Sequence, residues 1–106
     1  MPDQQMRRGQ VWRYDAVISS AAGYRLIITT DAVLEQRPAR VLTLPIDPSG
    51  KHVEDLLTVE IPGYGWVNAL LVDSTVASRL VERGSTVEGD VWESVALRLR
   101  TVLGDD

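Results

Sequence analysis

The hydrophobic pattern of this chain changes period once, and that change limits the folds open to it. Up to residue 72 the apolar residues come in short runs broken by glycine and proline. Beyond it they recur at helical spacing. Val91, Val95, Leu99 and Leu103 repeat every four residues, and Trp92, Ala96 and Val102 widen the stripe. The spacing predicts a helix from about residue 86 to 103 with one face docked on the rest. Ser85 followed by Glu88 fits a capping box at its start. In residues 74–83, Val76, Ala77, Leu80 and Val81 also fall at helical spacing before Gly84, which predicts a second helix.

The earlier runs read as strands. Residues 10–15 alternate, with Val11 and Arg13 on one face and Trp12 and Tyr14 on the other. Residues 24–30 are β-branched and nearly all apolar, as a central strand requires. Residues 40–46, 56–61 and 66–72 give three more. Between them, residues 16–23 read as a small-residue loop, and residues 31–36 as a helical turn that Pro38 stops. Asp47-Pro48-Ser49-Gly50 is a turn in its own right, and Pro62-Gly63-Tyr64-Gly65 a tight connection. Gly9, Gly23 and Gly65 fall at strand ends, where sharp turns are needed. Five strands followed by helices point to the α+β class, with a small antiparallel barrel-like sheet. At 106 residues there is room for one core, so residues 1–106 read as a single domain.

Composition then excludes several chemistries. The chain has no cysteine, so thiolate catalysis, disulfides and cysteine metal sites are out. His52 is the only histidine, which leaves no histidine-rich metal site, and the sequence holds no Gly-rich phosphate loop of the known types. No run approaches the ~20 apolar residues of a membrane helix, and the opening residues lack a signal-peptide pattern, so a cytoplasmic location is expected. The net charge is −4, yet residues 1–40 hold six arginines against four acids, while the remainder holds five bases against eleven acids. Nucleic acid, if bound, is expected at a local patch built from the amino-terminal half; otherwise the charges are a mixed solvated surface.

A few residues stand out chemically. Arg25 opens an apolar strand directly after the small-residue loop. It either grips a phosphate or pairs as an edge arginine with Asp31 or Glu35. Asp47 and Ser49 sit in a turn beyond a strand end, where loops on a rigid sheet often carry chemistry; the alternative is that the turn is only a turn. His52 lies among Lys51, Glu54 and Asp55, and is either a general acid or base or an inert surface histidine. Glu54 and Asp55 are neighbours that a strand would point to opposite faces, so they do not form a catalytic pair. Trp12, Tyr14, Tyr24, Tyr64 and Trp66 gather near strand ends, either to stack on bases or to fill a core.

The order of these motifs resembles that of MazF/PemK-type toxins. Arg8-Gly9-Gln10-Val11-Trp12-Arg13-Tyr14-Asp15 resembles the family's opening strand, and Arg25-Leu26-Ile27-Ile28-Thr29-Thr30-Asp31-Ala32 its second. Arg40-Val41-Leu42-Thr43-Leu44-Pro45-Ile46 resembles its third, and Leu57-Thr58-Val59-Glu60 with Tyr64-Gly65-Trp66-Val67-Asn68 its next hairpin. Ser78-Arg79-Leu80 and residues 91–104 resemble the closing helical region, so the likeness spans residues 7–104. The resemblance implies an SH3-like barrel with a carboxy-terminal helix, forming a homodimer. It implies a metal- and cofactor-independent endoribonuclease acting on single-stranded RNA and neutralised by an antitoxin protein. Arg25 matches the family's catalytic arginine. The family's catalytic threonine or serine falls on Asp47, with Ser49 two residues on as a substitute hydroxyl. Arg13, Tyr24, Arg25 and Lys51 are the expected RNA contacts. The chain departs from the pattern at Leu70-Leu71, where a polar pair is usual, near Asp73, where an arginine is usual, and in a shorter loop before Arg25. Those departures leave an alternative: a binding module on the same fold, degenerate or CcdB-like, acting on a protein target.

Overall fold

A computed structural model describes residues 5–16 and 23–104. Among them, seven strands form two antiparallel sheets, and a carboxy-terminal helix packs against them. The strands are β1 (Gln10–Tyr14), β2 (Gly23–Ile27), β3 (Arg40–Pro45), β4 (Thr58–Ile61), β5 (Gly65–Asn68), β6 (Asp73–Val76) and β7 (Leu80–Thr86). The helices are α1 (Asp31–Leu34) and α2 (Gly89–Leu103). One sheet has the order β6-β3-β2-β1-β7; the other is the hairpin β4-β5. This is the α+β, barrel-like antiparallel arrangement with a carboxy-terminal helix that the sequence predicts. The loop expected at residues 16–23 lies largely outside the described residues.

The three central strands are apolar on both faces because both faces are covered. Val11, Leu26, Leu44 and Ile46 point into the main core with Val59, Ile61, Val67 and Val95 of the hairpin and α2. Trp12, Ile27 and Val41 point the other way, into a second core closed by Leu34 of α1 and Leu80. Strict alternation of apolar and polar therefore fails in β1, where Val11 and Trp12 are both buried. Trp12 keeps its indole N–H satisfied by donating 2.9 Å to Gln10 Oε1.

Residues 74–83 do not form the predicted helix. They form β6, a short 3₁₀ turn at Ala77–Arg79, and the start of β7. Distant partners decide this against the local period. Thr75 pairs with Val41 and its hydroxyl lies 2.8 Å from that of Thr43, both buried. A helix there would leave the Thr43 hydroxyl buried without a partner, which costs more than local spacing gains. Leu80 through Thr86 meanwhile completes the exposed edge of β1.

Three boundaries move for similar reasons. The strand predicted over 66–72 stops at Asn68, whose side-chain oxygen accepts the Leu70 N–H at 2.8 Å and starts a 3₁₀ turn at Ala69–Leu71. The strand predicted over 24–30 stops at Ile27, because the Thr29 hydroxyl takes the Leu42 N–H at 2.7 Å. The strand predicted over 56–61 begins at Thr58, since the Asp55 carboxylate accepts the N–H groups of Leu57 and Thr58. Asp55 and Glu54 thus lie in a loop rather than on a strand. The capping box is absent as well. Ser85 belongs to β7 and bonds the Tyr64 hydroxyl, while α2 starts after Glu88 with no side-chain cap.

The two cores give a direct test of packing. Leu44→Ala removes a fully buried side chain and is expected to cost ~2–5 kcal/mol. Leu97→Ala, on the exposed face of α2, is expected to cost less than about 0.5 kcal/mol. Urea denaturation of the two variants reads the difference.

Candidate functional site

β2 and β3 carry the site. Arg25 lies on β2 opposite Pro45 of β3, on the face of the second core. Its guanidinium sits 4.4 Å from the centre of the Tyr14 ring and its Nη1 lies 2.6 Å from Asp73 Oδ2. The side chain is only 12% exposed. Arg25 is therefore neither a free cation nor a partner of Asp31 or Glu35. Those acids serve elsewhere: Asp31 accepts the Arg8 N–H at 2.7 Å, and Glu35 pairs with Arg7 at 3.7 Å. Asp73 reaches Arg25 because β6 lies beside β3, with Asp73 opposite Thr43.

Two residues beyond Pro45 the chain turns. Asp47 leaves β3 and exchanges two backbone hydrogen bonds of 2.8 Å with Trp66, joining the sheet to the hairpin. Gly65 makes that approach possible. Its φ is +142°, and a Cβ there would collide with the Asp47 carbonyl. The Asp47 side chain then organises the turn. Oδ1 accepts the Ser49 N–H at 2.9 Å, and Oδ2 lies 2.6 Å from His52 Nε2. These contacts, the His52 bond foremost and the Ser49 N–H next, hold the Asp47 carboxyl below its ordinary value of 3.8. The His52 ring stacks on Trp66 with centroids 6.0 Å apart and planes 29° apart. Asp47, His52, Trp66, Asn68 and Leu71 line a small cleft together with Pro45, the residue opposite Arg25 in the ladder.

The other expected contacts are distributed around this centre. Arg13 of β1 lies opposite Tyr24 and pairs with Glu82 of β7 at 3.4 Å. Tyr24 meets Tyr64 edge-on, with ring centroids 5.0 Å apart. Being next to Arg25 on a strand, Tyr24 points to the opposite face, so Arg13 and Tyr24 form one rim and Arg25 belongs to the other. Lys51 is exposed in the turn between Asp47 and His52. Trp12 is core rather than a stacking platform. Leu70 and Leu71, where the resembled family is polar, are both more than half exposed.

Sequence reasoning missed two partners. Asp73 lies 48 residues from Arg25, and no local signal joins them. His52 lies five residues from Asp47 across a Pro-Ser-Gly turn, and a turn of that length returns the chain on itself. That spacing was the available signal. Among the described residues, no cluster of acids and histidine could hold a metal ion, and no helix is long and apolar enough to cross a membrane.

The fold has counterparts among solved structures. An endoribonuclease from a mycobacterial species, in complex with its cognate antitoxin, superposes with a TM-score of 0.78 at 23% identity, covering 95% of this chain and 97% of that one. MazF of Deinococcus radiodurans matches with a TM-score of 0.75 at 20% identity, over 97% of this chain and 100% of that one. A chain of the MazE–MazF structure from the same organism matches with a TM-score of 0.74 at 20% identity, over 98% and 100%. At such identities the likeness is one of fold. No protein-family model and no curated protein sequence matches the chain.

The Asp47 turn yields a pH test. Its carboxyl is held below 3.8 in the folded protein, so its charge stabilises the fold in full above that value. The contribution fades as the pH falls through the lowered value. The stability gap between wild type and Asp47→Asn, read from urea midpoints, is expected at pH 6 and to close as acid titrates the group. Gly65→Ala tests the joint itself, and an unfolding cost of ~1–3 kcal/mol is expected from the displaced Asp47 backbone.

Proposed function

We propose that this chain is the toxin of a type II toxin–antitoxin pair: a metal-independent endoribonuclease that cuts single-stranded RNA at a specific sequence. In this reading it works in the cytoplasm as a homodimer, and a partner antitoxin protein holds it inactive. The observation that carries the reading is the end-to-end likeness of fold to MazF endoribonucleases, in a chain that places an arginine beside a cleft on its second strand. The likeness to structures bearing an antitoxin supports the partner. The binding-only alternative draws no support from them.

The chemistry is attack of a ribose 2′-oxygen on the adjacent phosphorus. The 2′-oxygen-to-phosphorus bond forms, the bond to the 5′-oxygen breaks, and the products are a 2′,3′-cyclic phosphate and a 5′-hydroxyl. The step needs a base, a donor of positive charge for the phosphorane and a proton for the leaving oxygen. Arg25 supplies the charge and the proton. Its planar fork suits a phosphate, and its largely buried setting beside Tyr14 strengthens each hydrogen bond it gives. To engage a phosphate it must exchange the Asp73 carboxylate for the substrate. The base is drawn from the turn that Asp47 opens and that carries Ser49 and His52. Arg13, Tyr24 and Lys51 flank the strand as RNA contacts.

The test is a cleavage assay on a kilobase single-stranded RNA in EDTA, with the fragment ends mapped. Wild type is expected to give discrete cuts with 5′-hydroxyl ends, and Arg25→Ala at least about 100-fold less cutting, the scale of losing one charge-stabilising donor. Intact RNA with wild type, or equal cutting by a folded Arg25→Ala variant, rejects the reading. Asp73→Asn removes the anion that competes with phosphate. It is expected to lower KM several-fold, read from the same assay at varied RNA concentration.

A further inference from the structure

We infer that His52 is the general base of this cleavage and that Asp47 is its positioning residue rather than the base itself. The inference rests on the nuclease reading above and adds the identity of the group that takes the 2′-hydroxyl proton.

Three observations carry it. First, the two side chains are already engaged, with Nε2 of His52 2.6 Å from Oδ2 of Asp47. Second, each partner has further contacts that orient it. The Ser49 N–H and the paired Trp66 backbone fix Asp47, and the Trp66 ring backs the imidazole. An acid or base must be held in one orientation to be effective, and this pair is held from both ends. Third, the imidazole is about one-third exposed and lines a cleft together with Pro45, the residue that pairs with Arg25 across β2 and β3.

The hydrogen bond also decides which ring nitrogen works. An ionised carboxylate only accepts, so Nε2 carries the hydrogen and donates it to Asp47. Nδ1 is left with its lone pair and no partner in the protein among the described residues. The carboxylate then stabilises the imidazolium that forms when Nδ1 takes a proton. Asp47 is less suited to the task itself. Both its oxygens are already committed, and its lowered pKa makes it a weak base.

The step balances without a co-reactant. Nδ1 takes the 2′-hydroxyl proton as the 2′-oxygen closes on phosphorus. The electron pair of the breaking bond goes to the 5′-oxygen, which takes a proton from the Arg25 guanidinium. Water then carries the proton from His52 back to Arg25.

The charged surroundings of His52 are few. Asp47 faces it from the end of β3; Lys51 and Glu54 flank it in its own loop. β5 and the turn after it present Trp66, Asn68 and Leu71, which carry no charge. The Arg25–Asp73 pair lies beyond Pro45.

Single-turnover cleavage of the same single-stranded RNA in EDTA, from pH 5 to 9, tests this on wild type, His52→Gln, Asp47→Asn and Arg25→Ala. For wild type the logarithm of the rate is expected to rise with unit slope on the acid side and then level. His52→Gln is expected to lose ~100- to 10,000-fold at the plateau, with KM unchanged and the acid limb gone. Asp47→Asn is expected to lose ~10-fold or more and keep the limb, displaced. His52→Gly with added imidazole is expected to recover rate in proportion to the imidazole concentration, which a merely structural role would not allow. If wild type cuts, Arg25→Ala does not, and His52→Gln keeps the wild-type rate and profile, the nuclease reading stands and the role of His52 is overturned. If wild type does not cut at any pH, both fall together.

Discussion

Two backbone hydrogen bonds between Asp47 and Trp66 join the five-stranded sheet to the β4–β5 hairpin, and much of the molecule hangs on that joint. It brings Ile46 of one sheet and Val67 of the other into a common core, over which Val95 of α2 closes. It exists only because Gly65 has no side chain to meet the Asp47 carbonyl. The same joint fixes the start of the turn that carries Ser49, Lys51 and His52. A single constraint therefore sets both the closure of the barrel and the geometry of the cleft.

Electrostatics divides the site into two pairs that the fold brings near each other. Arg25 with Asp73 is a cation held by an anion, backed by the Tyr14 ring. Asp47 with His52 is an anion holding an imidazole, backed by the Trp66 ring. In each pair an aromatic face limits where the polar group can move. Each pair also leaves one group open to a ligand: the guanidinium fork, and a ring nitrogen with no partner among the described residues.

What could be read from the residues depended on how far away the deciding partner lay. β1, β2, β3 and α2 announced themselves, because their apolar residues repeat within a few positions and their partners only confirm the pattern. β6 and β7 did not. Val76, Ala77, Leu80 and Val81 fit a helix, and only the Thr43 hydroxyl and the bare edge of β1, both far off in the chain, make strands of them. Asn68 ended its strand through its own side chain, a competition that apolar periodicity does not register. At the site, Arg25 was singled out by a charge opening an apolar strand, but its partner Asp73 was out of local reach. Asp47 and His52 each stood out by residue type, but the turn that folds His52 back onto Asp47 did not.

A sheet with a core on each face has no spare side. Val11 and Trp12, or Leu26 and Ile27, are neighbours in sequence that serve opposite interiors, so neither can be exchanged for a new contact without opening a cavity. New chemistry on such a scaffold has to be written at the margins: the strand ends, the turn from Asp47 to His52, and the Leu70–Leu71 corner. Those margins are joined to the cores through backbone bonds more than through side chains. Relatives built this way can therefore diverge in what they recognise while their interiors stay nearly fixed, and a chain can keep the architecture long after its rim sequence has ceased to resemble theirs.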